Sequence, residues 1–241
     1  MREKNGKWYS IIANICIVCM LVGLGTLTFT TYNKSMAVYK VDDSPFYKGN
    51  TARNEVSLMI NVYWGSEYLD GILEVLAKND ARCTFFVGGT WALDNKEYLK
   101  KIIDGGHEIG NHGYFHKDHK KLTYAQNKEE IVATNELVKQ VAGYDVKLFA
   151  PPSGSFGNTT LSVAKELRMP VIMWSKDTVD WRDKDWNVVL QRATKNVESG
   201  DLILMHPTAH TLQALPKILK DYKEKNLRAV TVSQIIDNAV I

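Results

Sequence analysis

Two histidines four positions apart, His112 and His116, are the residues of this 241-residue chain whose spacing most directly suggests chemistry. Their segment reads Asn111-His112-Gly113-Tyr114-Phe115-His116. Imidazoles at positions i and i+4 can face one way and bind a single metal ion at about 2.1 Å. Two solvated loop histidines give the same short pattern, so the surrounding sequence has to decide between a metal site and an ordinary loop.

Other polar residues recur where the predicted strands end. Because the carboxyl ends of parallel strands meet at one edge of a sheet, residues in these positions are expected to lie close together. Their concentration favours a functional site that includes the two histidines. In chain order the further members are Asn61, the segment Pro151-Pro152-Ser153-Gly154, Asp177, Asp180 and His206.

Short apolar runs alternate with segments of helical periodicity, which predicts an α/β fold with a parallel sheet. The runs span residues 56–60, 83–87, 107–110, 146–150, 171–174, 202–205 and 228–230. Strands covered on both faces are apolar throughout, as these nearly are. The domain is about 50 residues shorter than a typical eight-fold barrel. We therefore expect an incomplete (β/α) barrel of about seven parallel strands, with a doubly wound open sheet as the alternative.

These strand-end residues resemble the polysaccharide deacetylases, carbohydrate esterase family 4. The family's H-x-x-x-H metal motif matches His112 and His116, and its leucine–x–histidine motif matches Leu204-Met205-His206. Its aspartate–tryptophan motif matches Asp180-Trp181. The resemblance extends over residues 56–236, and residues 61–65 are most similar to the branch associated with sporulation in Gram-positive spore formers.

The resemblance implies a hydrolase that removes acetyl groups from N-acetylated cell-wall glycan with a bound divalent metal ion. His112 and His116 would bind the metal, with zinc as the expected ion and cobalt or manganese as alternatives. His206, oriented by Asp180, would be the general acid, and the backbone N–H near Ser153 would help hold the oxyanion. The predicted substrate-binding residues are Trp64, Tyr114, Pro152, Ser153 and Trp181.

The chain departs from the family at the residues that would supply the base. The family motif T-F-D-D-G holds the general base and a metal ligand, and those two positions are Asn61 and Val62 here. The arginine of R-P-P-x-G is Ala150. Two hypotheses follow: a deacetylase with a substitute base, or a non-catalytic relative that binds glycan or acts as a scaffold.

Three replacements for the lost groups remain open. Glu67 would serve as base or ligand, although a carboxylate in the first turn of a helix is also ordinary. His119 would complete a three-histidine set if its turn is helical, although a surface histidine among lysines is the simpler interpretation. The Asn61 side-chain oxygen would be a weak metal ligand, because hard divalent ions accept amide oxygens.

The net charge of +3 belongs to the N-terminal segment. Residues 1–40 carry +4 and the remainder −1, which makes a nucleic-acid partner improbable. A lysine-flanked apolar run predicts a cytoplasmic tail at 1–10 and a single-pass membrane anchor at 11–32, with a cleaved signal peptide as the alternative. Residues 33–54 would be a linker, and residues 55–241 a deacetylase-like domain outside the cell membrane. The sequence does not specify an oligomeric state.

Overall fold

The computed structural model describes residues 14–20 and 44–236. The chain divides into two units, Met1–Val38 and Tyr39–Ile241. In the first unit, residues 14–20 are helical, with Ile15, Ile17 and Met20 exposed. Most of the predicted anchor, the whole tail and residues 33–43 of the predicted linker lie outside the described residues. No helix within the described ranges combines the length and apolar character needed to cross a membrane.

The second unit is built on a sheet whose strands run parallel. Strand β1 (Glu55–Val62) lies at its centre, next to β2 (Thr84–Val87), which pairs in turn with β3 (Glu108–Asn111). On the other side β1 pairs with β5 (Leu202–Met205), which pairs with the short β4 (Lys176–Asp177). Strand β6 (Arg228–Ala229) pairs with the first residues of β1. The prediction of an α/β fold with a parallel sheet is confirmed.

Two of the predicted strands are reduced to isolated bridges. Phe149 pairs in parallel with Asn111 and with Val171, and the chain from Val171 then reaches β4 beside β5. Parallel pairing therefore continues from β3 back to β5 through these two segments. Prolines explain why the ladders are short, because Pro151 and Pro170 adjoin the bridges and have no N–H to donate.

Most of the helices cover the outer side of the sheet, while the last packs in a second apolar cluster with Met59. In chain order they are α1 (Leu69–Lys78), α2 (Gly89–Asp94), α3 (Lys96–Asp104), α4 (Tyr124–Ala142), α5 (Asn158–Glu166), α6 (Trp186–Thr194), α7 (Ala209–Glu224) and α8 (Val232–Ile236). Single 3-10 turns lie at His119–Lys121 and Pro152–Gly154. A capping box formed by Thr123 and Gln126 opens α4, and Gly143, with φ +65°, ends it.

The alternation of side chains along β1 separates two apolar cores. Ile60 and Val62 pack in the larger cluster with residues of the surrounding helices, and Met59 packs in a second cluster with Phe86 and other buried residues. Asn61 shares the face of Met59 at the carboxyl end of the strand, so its amide reaches the site described below. Val62 faces away from that site.

Part of the predicted linker packs against the domain. The Phe46 backbone N–H donates to Val171 O, and its carbonyl accepts from Met173 N, both at 2.8 Å. Gly49 lies so close to Ile235 that an added Cβ would be 2.7 Å from its Cγ1. Phe46 therefore supplies a parallel bridge to Ile172 from a segment whose polar composition predicted a linker.

Candidate functional site

A cavity of about 400 Å³ opens at the carboxyl ends of the parallel strands. It brings together most of the polar residues predicted from strand ends, as expected for this edge of a parallel sheet. Trp174 also lines it, although its position in a predicted strand favoured a place in the core. The residues around the cavity are Asn61, Trp64, His112, His116, Ser153, Trp174, Asp177, Trp181, Leu204 and His206.

The predicted acid pair is assembled and buried. His206 Nδ1 donates to Asp180 Oδ1 at 2.8 Å, and the His206 backbone N–H donates to Asp180 Oδ2 at 2.6 Å. Thr211, in the first turn of α7, donates its hydroxyl to the same Oδ2 at 2.5 Å. Because His206 Nδ1 donates its proton to Asp180, the pair fixes both the tautomer and the orientation of the imidazole.

Thr211 was not predicted from the sequence. Thr208 caps α7 by accepting from the Thr211 backbone N–H, and this places the Thr211 side chain on Asp180. The only indication in the sequence was the spacing of Thr208 and Thr211, which is typical of ordinary helix capping.

A strained backbone presents Asp180. Val179 has φ +54°, a left-handed conformation that is costly for a β-branched residue. Its N–H donates to Asp177 Oδ1 at 2.8 Å, and the preceding Thr178 is tied to Leu204 O through both its N–H and its hydroxyl. These bonds hold the turn in place.

His112 is fully positioned by its neighbours. Its Nδ1 donates to Ala150 O at 2.8 Å, which leaves Nε2 as a lone-pair acceptor. Asn61 Nδ2 lies 3.4 Å from that Nε2. Burial, with a smaller contribution from the neighbouring His116, lowers the pKa of His112 to about 3, so the imidazole is neutral at pH 7.

His116 reaches the cavity through a left-handed backbone, with φ +53°. Its ring stacks on Tyr63 at 4.5 Å between centroids and lies 5.0 Å from the His112 ring. Burial also lowers the pKa of His116. The two imidazoles are therefore adjacent and neutral, as the H-x-x-x-H spacing predicts for a pair facing one site.

Contacts from α4 hold the histidine loop. Buried Glu130 accepts from the Phe115 backbone N–H at 2.8 Å and forms an ion pair with Lys117 Nζ at 2.9 Å. Asn111 Oδ1 accepts from Gly113 N at 2.8 Å. The histidine loop is thus held by protein groups of α4 and of the strand end.

The residues at this site do not complete a catalytic metal centre. Catalytic zinc uses about three protein ligands, whereas no group of three or more His, Cys, Asp and Glu side chains that could hold a metal occurs in the described ranges. Val62 packs in the apolar core, and the Asn61 Nδ2 group faces the lone pair of His112. The Asn61 oxygen is buried and has no hydrogen-bond partner in the described part of the chain.

Neither Glu67 nor His119, the two side chains considered as replacements for the lost groups, lines the cavity. The Glu67 carboxylate accepts from the Ser66 backbone N–H at 3.0 Å, and Glu67 does not line the cavity. His119 is fully buried, so the expectation of a surface histidine is wrong. Its Nδ1 lies 2.7 Å from Asn127 Oδ1, and its Nε2 lies 3.1 Å from where a Cβ on Gly113 would be. His119 therefore packs under the histidine loop.

The predicted substrate-binding residues separate into two groups. Trp64 and Trp181 line the cavity and are 51% and 54% exposed, and Trp64 stacks on His206 with 5.6 Å between ring centroids. Ser153 lines it as well, with φ +55° in the 3-10 turn. Tyr114 and Pro152 do not line it: the Tyr114 ring packs on Gly89, and Pro152 is buried behind Ser153.

The comparisons with known proteins identify the family of this chain. Residues 48–172 match the family model described as polysaccharide deacetylase. The uncharacterized protein YlxY of Bacillus subtilis is 38% identical over 211 residues, which are 88% of this chain and 66% of that protein. A peptidoglycan-N-acetylglucosamine deacetylase of Bacillus cereus is 30% identical over 198 residues, 80% of this chain and 72% of that protein.

One of the similar solved structures is described as a pseudoenzyme. A carbohydrate esterase family 4 pseudoenzyme from Bacillus anthracis is 36% identical, with a TM-score of 0.78 over 80% of this chain and 69% of that one. A mutant of that pseudoenzyme is described as having restored enzymatic activity, with 35% identity and the same TM-score of 0.78 over 80% of this chain and 71% of that one. With the match to the family model, these similarities show that the chain belongs to the polysaccharide deacetylase family.

Proposed function

We propose that this chain is a cell-wall glycan-binding member of the family in which deacetylation is impaired. The observation that carries the proposal is the composition of the cavity. It keeps the His206–Asp180 pair and two exposed tryptophans, whereas Asn61 stands where the resemblance requires the base.

Elementary chemistry explains why these residues favour binding over turnover. An amide such as Asn61 cannot take a proton from water at neutral pH, and loss of a positioned base costs about 10²–10⁴ in rate. Tryptophan faces that remain exposed beside a polar cavity suit the apolar faces of sugar rings. A pseudoenzyme among the similar structures supports the same conclusion.

The test is a paired measurement on the purified chain. Calorimetric titration with N-acetylglucosamine tetramer should give saturable binding, and acetate should stay at the blank level with or without added Zn²⁺, Co²⁺ or Mn²⁺. Trp181→Ala should weaken binding, while Tyr124→Ala, which changes an exposed aromatic residue outside the cavity, should not. Sustained acetate release, or no binding, would contradict the proposal.

Residual deacetylation is the second candidate function. The intact acid pair favours it, because a group that protonates a leaving amine has no evident purpose in a site that only binds. His206→Ala distinguishes the two: it should abolish acetate release if the site hydrolyses, and it should change only binding if the site does not.

We also propose that the domain acts outside the cell membrane, attached through residues 11–32. The support is the apolar run with lysines before it. Fractionation and external protease treatment of intact cells test this proposal. A membrane-bound domain that is degraded from outside agrees with it, and a domain that stays protected contradicts it.

A further inference from the structure

We infer that the cavity selects glycan carrying a free amino group, that is, a deacetylated hexosamine bound as its ammonium ion. This inference rests on the proposed glycan-binding function and names the ligand of the same site. The observations that support it are the sign of the charge in the cavity and its aromatic lining.

The charged side chains around the cavity are of one sign. Asp177 lines it, and neither lysine nor arginine occurs among its lining residues. Asp177 Oδ1 accepts from Val179 N at 2.8 Å, and the other carboxylate oxygen has no partner in the described part of the chain. Asp180 is different, because both of its oxygens are occupied by His206 and Thr211. Asp177 is therefore the carboxylate left to pair with a cation.

The nearest arginines are engaged elsewhere. Arg192 Nε donates to the backbone carbonyl of Asp177 at 2.8 Å, so it contacts the main chain of this residue. Arg182 forms two hydrogen bonds to the carboxylate of Asp183, at 2.8 and 2.9 Å. No ion pair to the Asp177 carboxylate is found within the described ranges. The Asp177 carboxylate therefore has no direct ion-pair partner there, although the Arg182 charge acts on it from nearby and Lys176, Arg192 and Lys195 line a second depression with this residue.

The remaining lining suits an ammonium group. Trp64, Trp174 and Trp181 place three indoles around the cavity, and the face of an indole attracts a cation. His112 offers no further acceptor, because Nδ1 donates to Ala150 O and Nε2 faces Asn61 Nδ2 at 3.4 Å. An ammonium group has three N–H donors and no acceptor, so it matches a carboxylate oxygen beside indole faces.

An acetamido group would gain much less from the same cavity. It is neutral, and it offers one N–H donor, so it forms no charge-assisted bond with Asp177. Its carbonyl oxygen can accept only from neutral donors such as the Ser153 hydroxyl or an indole N–H, because neither lysine nor arginine lines the cavity. The charge and hydrogen-bond inventory of the site therefore favour the amine.

The experiment is a comparison of two ligands on the full-length chain. Glucosamine tetramer and N-acetylglucosamine tetramer are titrated calorimetrically at about pH 6, where the amine is protonated. The glucosamine tetramer should bind about tenfold more tightly, the usual scale of a charge-assisted hydrogen bond. Asp177→Asn should remove the difference, because asparagine can still accept from Val179 N but carries no charge.

Asp183→Asn is the matched control. It removes the same charge from a nearby residue that does not line the cavity, so the preference should persist. Equal or tighter binding of the N-acetylated tetramer would overturn the inference and leave glycan binding intact. A preference that survives Asp177→Asn would also overturn it. Binding of neither tetramer would overturn the proposed function together with the inference.

Discussion

Replacing Thr211 with valine removes the hydroxyl that donates to Asp180 Oδ2 at 2.5 Å and keeps nearly the same side-chain shape. Thr211 is fully buried, and Asp180 is 1% exposed, so water cannot replace the lost donor. Asp180 Oδ2 would retain the His206 backbone N–H as a partner. The substitution therefore removes the buried hydrogen bond to the carboxylate, and with it the 3.1 Å bond that the Thr211 hydroxyl accepts from part-buried Thr208, without opening a cavity.

The expected loss in the free energy of unfolding is set mainly by the hydrogen bond to the Asp180 carboxylate. A hydrogen bond to a charged group contributes about 1.5–3 kcal/mol, so Thr211→Val should lower the free energy of unfolding by about this amount. Thr211→Ser keeps the donor and removes one methyl group, which costs about 0.8 kcal/mol. Equilibrium urea unfolding of the purified chain, followed by tryptophan fluorescence, measures both changes.

The order of the two variants tests the reasoning. The hydrogen-bond account requires the valine variant to be less stable than the serine variant. If valine is tolerated as well as threonine, or better than serine, the Thr211–Asp180 bond does not stabilise the site and the account of this residue is wrong.

Three further outcomes are expected. Glu130→Gln should cost about 1 kcal/mol in urea unfolding, because its ion pair with half-exposed Lys117 is lost while the bond to Phe115 N remains available; an unchanged stability would contradict this. EDTA or added Zn²⁺ should leave the melting temperature unchanged, because ligands stabilise only what binds them; a rise with zinc would show that a metal is bound. Burial lowers the pKa of His107 from about 6.5 to about 4, with the Arg82 charge acting the same way. The neutral form is thus favoured on folding, so this contribution to stability is complete above about pH 6.5 and is lost as the pH falls toward 4. His107→Gln should flatten the fall in stability between about pH 6.5 and 4, and an unchanged slope would refute the assignment.

The fold was largely predictable because apolar runs and helical periodicity report burial directly. What the sequence concealed was interruption of pairing by proline: Phe149 and Val171 form bridges where strands were expected. It also concealed Phe46, which joins the sheet from a segment of polar composition.

The site was predictable where chemistry depends on residue type, as with His112, His116 and the Asp180–His206 pair. The residues that hold the site in place were not predictable. Thr211 and Glu130 contact it only in the folded chain, and in sequence they resemble ordinary helix residues. The same limit applies to Tyr114, whose ring packs on Gly89 and does not line the cavity.

The most direct test of the central claim measures binding and hydrolysis in one sample. The purified chain is titrated with N-acetylglucosamine tetramer in the presence of Zn²⁺, and the same mixture is assayed for free acetate over time. We predict a saturable binding isotherm with acetate no higher than in a His206→Ala sample. Continuous acetate release that His206→Ala abolishes would contradict the claim that this member of the family binds glycan without hydrolysing it.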